Sequence, residues 1–205
     1  DDASFVSGEV VTGTNNDNQA VSFMLEGNEV TGPLWYSWKP YANDSSTYGS
    51  LPERAYLVCL YRGRLVLSGN PQYPYQWYMS RQANPWDWAY AANDAQSPVA
   101  GGNSDAGEVG DMIRALVPYR DEYLLFGCTN SLWVLKGDPA EGGTLQEVDL
   151  TKGMFGPDSW CYDGAGNLYF ASMNGICMLP AGFGPVVELS NLVLPNMFAD
   201  FSVQP

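Results

Sequence analysis

The chain has 205 residues, of which 45% are hydrophobic, 14% aromatic and only 16% charged, and its formal net charge is −14. With nine basic residues it is poorly suited to non-specific binding of nucleic-acid backbone, which requires Lys and Arg to displace counterions. It contains no His, which excludes Ser-His-Asp and Cys-His catalysis, His-ligated metals and His general bases.

Residues 1–52 read as an N-terminal β segment. Apolar alternation predicts strands over residues 4–12 and 20–25, joined by a polar loop at residues 13–18. A further strand is expected over residues 32–38. The chain begins without Met, and the three repeats within residues 53–205 are too few to close a propeller ring. We therefore expect either a piece of a longer polypeptide or a subunit whose ring is completed elsewhere.

Residues 53–205 carry a pattern that occurs three times: an apolar strand, a tight polar turn, a second apolar strand, a loop and a third strand. The predicted strands are 56–61, 65–68 and 76–80; then 113–119, 123–127 and 131–135; then 159–162, 168–171 and 175–179. The repeats occupy about 53–99, 111–150 and 151–190, and a fourth strand is predicted only in the second, over 144–150. Residues 100–110 read as a Gly-rich linker, and residues 195–199 as one helical turn.

A Tyr closes the first strand of each repeat, at Tyr61, Tyr119 and Tyr162, with spacings of 58 and 43 residues. This period is typical of propeller blades with variable loops. The sequence therefore predicts an all-β fold of β-propeller-like blades. Because a closed propeller needs at least about four blades, these three are expected to be part of a larger propeller.

The four cysteines, Cys59, Cys128, Cys161 and Cys177, do not form a CxxC pair, which argues against a zinc site. Cys161 and Cys177 are predicted on strands two apart, about 9–10 Å from each other, which is too far for a disulfide. We expect all four to be reduced, buried thiols. No apolar run reaches the roughly 18 residues that would span a membrane, so no membrane partner is expected, and no signal peptide is visible.

The order and spacing of several short segments resemble the propeller-like tail nozzle proteins (tail tubular protein B) of short-tailed bacteriophages. The segments are 64–69 (RLVLSG), 77–81 (WYMSR), 84–88 (NPWDW), 111–119 (DMIRALVPY), 123–126 (YLLF), 131–137 (SLWVLKG), 153–159 (GMFGPDS), 167–170 (NLYF) and 174–176 (NGI). They lie between about residues 54 and 190. This chain is shorter than the chains of that family.

The resemblance implies a structural virion protein located in the tail and assembled in the host cytoplasm. Its partners would be copies of itself in a ring, the adaptor or head–tail connector, and other tail proteins. DNA would pass through the lumen without specific binding. The resemblance supplies no catalytic residue, no cofactor-binding residue and no metal ligand, and no cofactor is expected.

Seven aromatic rings fall within 18 residues, at positions 73, 75, 77, 78, 86, 88 and 90. Such rings could stack on sugar faces, as in a carbohydrate-binding, lectin-like propeller. They could also pack between blades or subunits, and the enrichment of Tyr and Trp at interfaces favours that interpretation. The candidate interface or ligand-stacking residues are Tyr73, Tyr75, Trp77, Trp86 and Trp88.

Several carboxylates keep a second alternative open, that of a propeller glycoside hydrolase fragment. They are Glu108, Asp111, Asp121, Glu122 and Asp163. Glycoside hydrolysis needs two carboxylates about 5–10 Å apart across a sugar, whereas three of these are predicted at hairpin turns. Residues 163–167 (DGAGN) have the Asp and Gly content of a calcium loop, but they lack the further acidic ligands and read as a hairpin turn.

The negative charge also predicts the character of the lumen in a DNA-conducting ring. Basic walls would hold DNA through counterion release, whereas acidic and neutral polar walls let it slide. By composition, the loops 100–110 and 43–49 are the expected lining. A lumen lined mainly by Arg62, Arg64, Arg81 and Arg120 would instead indicate a DNA-gripping role.

Overall fold

The computed structural model describes residues 10–14, 20–24, 49, 51–90, 94–103 and 106–190. The chain divides into two compact units, Asp1–Ser37 and Trp38–Pro205. In the first unit, β1 (Val10–Thr14) pairs antiparallel with β2 (Ala20–Met24). Strands were predicted in both places, but the prediction that the loop begins at residue 13 is wrong, because residues 13 and 14 pair within β1. The strand predicted over 32–38, the helical turn at 195–199 and all of the loop 43–49 except Gly49 lie outside the described residues.

The described part of the second unit contains three four-stranded antiparallel sheets, here called blades 1, 2 and 3. Blade 1 comprises β3 (Leu57–Tyr61), β4 (Arg64–Asn70), β5 (Tyr73–Met79) and β6 (Val99–Ala100). Blade 2 comprises β7 (Ile113–Tyr119), β8 (Tyr123–Cys128), β9 (Leu132–Lys136) and β10 (Thr144–Asp149). Blade 3 comprises β11 (Trp160–Tyr162), β12 (Leu168–Ser172), β13 (Gly175–Leu179) and β14 (Val187–Glu188). The fold is therefore all-β and built of propeller-like blades, as the repeat predicts.

Blades 1 and 3 each have a short fourth strand that the sequence pattern did not indicate. Ala100 belongs to β6, where it pairs with Tyr78, and Gly101–Asn103 form a short 3-10 turn. The prediction that the linker begins at residue 100 is therefore wrong. Two paired residues are too few to show the alternation on which strand prediction depends.

The hairpin turns follow from their sequences. Arg62 and Gly63, between β3 and β4, both have positive φ, at 48° and 70°, as a type I′ turn requires. The 163–167 segment joins β11 to β12, and the Asp163 amide donates to the Asn167 carbonyl at 3.1 Å. The prediction of a hairpin turn here is confirmed. No helix in the described ranges is long and apolar enough to cross a membrane.

Blade 2 buries both of its faces. Alternate side chains of its strands point to opposite sides, so Leu116, Leu124 and Phe126 join a core cluster with residues of blade 1. Val117 and Leu125 join a second cluster with residues of blade 3. The second unit is thus held together by two apolar interfaces, one on each side of its middle sheet.

Candidate functional site

A buried ion pair crosses the interface between blades 1 and 2. The Nε of Arg64, in β4, lies 3.1 Å from Oδ2 of Asp138, and both side chains are almost completely buried. The other Asp138 oxygen accepts from the Ala140 amide at 3.0 Å and caps the 3-10 turn Pro139–Glu141. The guanidinium also donates to the carbonyl oxygens of Ser80, Ala95, Gln96 and Ser97. Each charge is thereby matched, and Arg64 cannot line a lumen.

Sequence reasoning identified no role for this pair. The sequence pattern placed Arg64 in the turn before the second strand, in the segment RLVLSG and among the candidate lumen residues, whereas it is the first residue of β4. Asp138 was not singled out. Asp followed by Pro is a signal for the N-cap of a helical turn, so the capping role of Asp138 could have been predicted from the sequence. Its partner could not, because the two residues are 74 positions apart.

Two of the repeated tyrosines connect one blade to the next. The Tyr61 hydroxyl lies 3.0 Å from the Glu122 carbonyl oxygen and 2.9 Å from that of Gly137, both in blade 2. The Tyr119 hydroxyl donates to the Gly166 carbonyl at 2.5 Å, in the β11–β12 turn of blade 3. We call these bonds the forward tyrosine contacts, because each runs from the end of a first strand to the following blade.

Tyr162 ends the first strand of blade 3 but points the other way. It pairs with Leu168, whose side chain lies in the core between blades 2 and 3. Its hydroxyl donates back to the Pro118 carbonyl at 2.9 Å, and its ring meets the Tyr119 ring edge-on, with centroids 5.5 Å apart. Blade 3 therefore has no forward contact from this tyrosine.

Replacement of Tyr61 by Phe tests the forward contact. We expect the free energy of unfolding to fall by about 0.5–1.5 kcal/mol, the net contribution of one hydrogen bond. Burial raises the pKa of Tyr61 from 10.0 to about 12, so its contribution is present below pH 10 and is lost as the pH rises toward 12. Urea denaturation at neutral and alkaline pH measures both effects. Tyr73→Phe, at a ring that is 51% exposed, is the control; equal losses in the two variants would contradict this role.

The faces of blades 1 and 3 that lie opposite blade 2 are here called their outer faces. The outer face of blade 1 carries the cross-strand neighbours Val58, Leu67 and Tyr78, together with Leu60 and Leu65. Val58 is 62% exposed and Leu60 is 71% exposed, so this face presents neighbouring aliphatic side chains to water.

The outer face of blade 3 is also apolar. It carries the neighbours Cys161, Tyr169 and Met178, and beside them Ala171 and Ile176. A groove of about 320 Å³ runs over part of this face and is lined by four of these side chains. Both outer faces thus have the composition of the buried blade faces.

The five aromatic residues singled out from the sequence do not share one surface. Trp77 and Trp88 are fully buried, and Trp77 packs between blades with its ring 5.9 Å from that of Phe126. Their indole nitrogens donate to the carbonyls of Gly107 and Pro85 respectively. Trp86 is half-buried, while Tyr73 and Tyr75 are exposed on one face of β5.

Three of the five candidate carboxylates, Glu108, Asp111 and Asp163, accept hydrogen bonds within local structure, whereas Asp121 and Glu122 line a cavity with Arg62 and Gln82. Asp111 accepts from the Asn130 amide at 2.7 Å and from the Ser131 hydroxyl at 3.1 Å. Asp163 accepts from the Asn167 side chain and backbone, and these bonds lower its pKa. Glu108 accepts a hydrogen bond from the Gln76 side chain. Within the described ranges, no group of three or more His, Cys, Asp and Glu side chains is placed to hold a metal ion.

All four cysteines are free, as predicted, but they are not all buried. Cys128 and Cys177 are buried and Cys59 is half-buried, whereas Cys161 is exposed. The expectation of a buried Cys161 is wrong because its side chain lies on the outer face of blade 3. Burial raises the pKa of Cys59 to about 12 and that of Cys177 to about 11, so both thiols stay protonated at neutral pH.

No protein-family model and no curated protein matches the chain. A functional proposal must therefore rest on the residues and their geometry. The features available for it are the two apolar outer faces, the contacts between blades and the exposed pair Tyr73 and Tyr75.

Proposed function

We propose that this chain is a structural virion protein, part of a bacteriophage tail nozzle through which DNA is ejected. The observation that carries the proposal is the pair of apolar outer faces on blades 1 and 3, since such faces are typical of surfaces covered by another protein. In this role the chain contacts copies of itself in a ring, together with the adaptor and other tail proteins.

A structural role also agrees with how the polar groups are used. Arg64 and Asp138 neutralise each other between blades, and Asp111 and Asp163 accept hydrogen bonds within turns. Enzymatic hydrolysis would instead need two carboxylates that face each other across a substrate. Asp121 and Glu122 do line one cavity of about 560 Å³, but they are adjacent residues of the turn between β7 and β8. We therefore propose that the chain has no catalytic activity and needs no cofactor or metal.

In the proposed nozzle, DNA passes a lumen that is acidic or neutral and does not bind it specifically. Of the four arginines that could have gripped DNA, Arg64 is buried. Arg81 pairs with Asp94 at 3.0 Å, and Arg120 lies 5.6 Å from the centre of the Tyr119 ring. Carboxylates thus neutralise two of the four arginines, Arg64 and Arg81, and together with the net charge of −14 this favours sliding over gripping.

The test is immunogold electron microscopy of phage particles produced from the genome that encodes this chain. With an antibody raised against the purified chain, we expect label at the end of the tail. Particles that lack the chain by labelling and by mass spectrometry would overturn the proposal.

A second candidate function, carbohydrate binding, is favoured by Tyr73 and Tyr75. They lie two residues apart on one face of β5 and are 51% and 39% exposed, a suitable arrangement for stacking on a sugar. A glycan array separates the two functions: saturable binding to a glycan that Tyr75→Ala abolishes would support a lectin-like propeller. Absence of such binding is expected for the nozzle protein.

A further inference from the structure

We propose that copies of this chain associate head to tail, with the outer face of blade 3 of one copy packed against the outer face of blade 1 of the next. This inference rests on the proposed ring-forming role and names the surface that would carry it. The partner is a second copy of this chain, and the surface follows from the way in which the three blades pack against one another within one copy.

The first argument is continuity with the interfaces inside the chain. Blade 1 packs against one face of blade 2, and blade 3 packs against the other face of blade 2. The three sheets therefore form one stack, in chain order. The outer faces of blades 3 and 1 are the two halves of one further interface of the same kind. Joining them between copies extends the stack without a new type of contact.

The second argument is chemical. The exposed side chains Val58 and Leu60 meet water on the outer face of blade 1, and Cys161 does so on that of blade 3. None of these groups needs a polar partner, so packing the faces together removes apolar surface from water and buries no unmatched charge at these positions. A contact between two different surfaces of identical subunits is heterologous, and it closes into a ring when the rotation allows.

The third argument predicts the strength of this contact. The two interfaces within the chain carry the forward contacts of Tyr61 and Tyr119. The interface between blades 1 and 2 also contains the Arg64–Asp138 pair. At blade 3 the equivalent tyrosine, Tyr162, is directed back to Pro118. The contact between copies therefore depends on apolar packing, and we expect reversible association that increases with protein concentration.

The first experiment measures mass against concentration for the full chain by sedimentation equilibrium and light scattering. Leu60→Glu should weaken self-association by about 10- to 100-fold, because it places a charge in the apolar contact. The matched control is Leu150→Glu, which changes a leucine that is also exposed, at 57%, but follows β10 of the middle blade. Thermal melts verify that both variants fold. A parent chain that stays monomeric, or equal association in the two variants, would overturn the proposal.

The second experiment determines the orientation of the contact. Leu60→Cys is oxidised in a Cys59→Ser background, and peptide mapping identifies the crosslinks between copies. Head-to-tail packing predicts a disulfide between Cys161 and the new cysteine at 60, and none with a Glu147→Cys control on β10. Crosslinks joining only two Cys161 residues, or only two new cysteines, would show symmetric pairing and overturn the head-to-tail arrangement.

The two proposals can fail separately. If Leu60→Glu does not affect association but the chain is found in the tail, the surface is wrong and the structural role stands. If association depends on Leu60 but no particle contains the chain, the surface stands and the tail role fails.

Discussion

Replacement of Asp138 by Ala is expected to lower the free energy of unfolding by about 3–5 kcal/mol. The change leaves the Arg64 guanidinium buried between blades 1 and 2 without its counter-ion. Four carbonyl oxygens still accept from it, but they do not neutralise a full charge. The same substitution removes the cap on the Ala140 amide. Because a domain is usually stable by only about 5–15 kcal/mol, this loss is a large fraction of the total.

A surface ion pair provides the control for Asp138. Arg81 and Asp94 lie 3.0 Å apart, but their side chains are 27% and 48% exposed. Exposed pairs contribute about 0–1 kcal/mol. Asp94 also accepts from the Gln96 amide at 2.8 Å, so Asp94→Ala should cost about 1–2 kcal/mol in total. Urea denaturation of both variants gives the comparison. If Asp138→Ala cost no more than Asp94→Ala, the pair would not hold blades 1 and 2 together.

Much of this fold could be predicted because each blade forms from neighbouring segments. The turn at Arg62 and Gly63 lies between two apolar strands that pair directly across it, so the local pattern is sufficient. The 163–167 turn was predictable for the same reason. Loops between blades vary in length, yet they do not disturb the alternation of side chains within a strand, which is set by the pleat of the backbone.

The remaining features depend on information that a local pattern does not contain. Tyr162 ends the first strand of its blade, as Tyr61 and Tyr119 do. Successive side chains of a strand point to opposite faces, and Tyr162 is one position out of step with the other two, so its side chain points to the opposite face. The same difference exposes Cys161. The partner of Arg64 is set by how two blades pack, and no spacing in the sequence indicates it. Of these residues, Cys161 lies on the surface that carries the proposed contact between copies.

Replacement of Trp77 by Ala is expected to lower the free energy of unfolding by about 3–5 kcal/mol. The Trp77 side chain is fully buried, packs against Phe126 of blade 2 and donates from Nε1 to the Gly107 carbonyl at 3.2 Å. Its removal leaves a cavity between two blades whose positions are fixed by other contacts, so the site can collapse only in part. The loss is measured by urea denaturation, with thermal melts as a second probe.

Tyr75→Ala is the matched control for Trp77, because it removes an aromatic ring from the same strand, two residues earlier. Tyr75 is 39% exposed, so its truncation removes less buried surface and should cost no more than about 1 kcal/mol. A large difference between the variants would mean that this aromatic cluster serves two purposes. Its inner ring would hold blades 1 and 2 together, and its outer rings would remain available to a partner. Equal costs would mean instead that β5 packs uniformly along its length, and the assignment of Trp77 to the core between blades would be wrong.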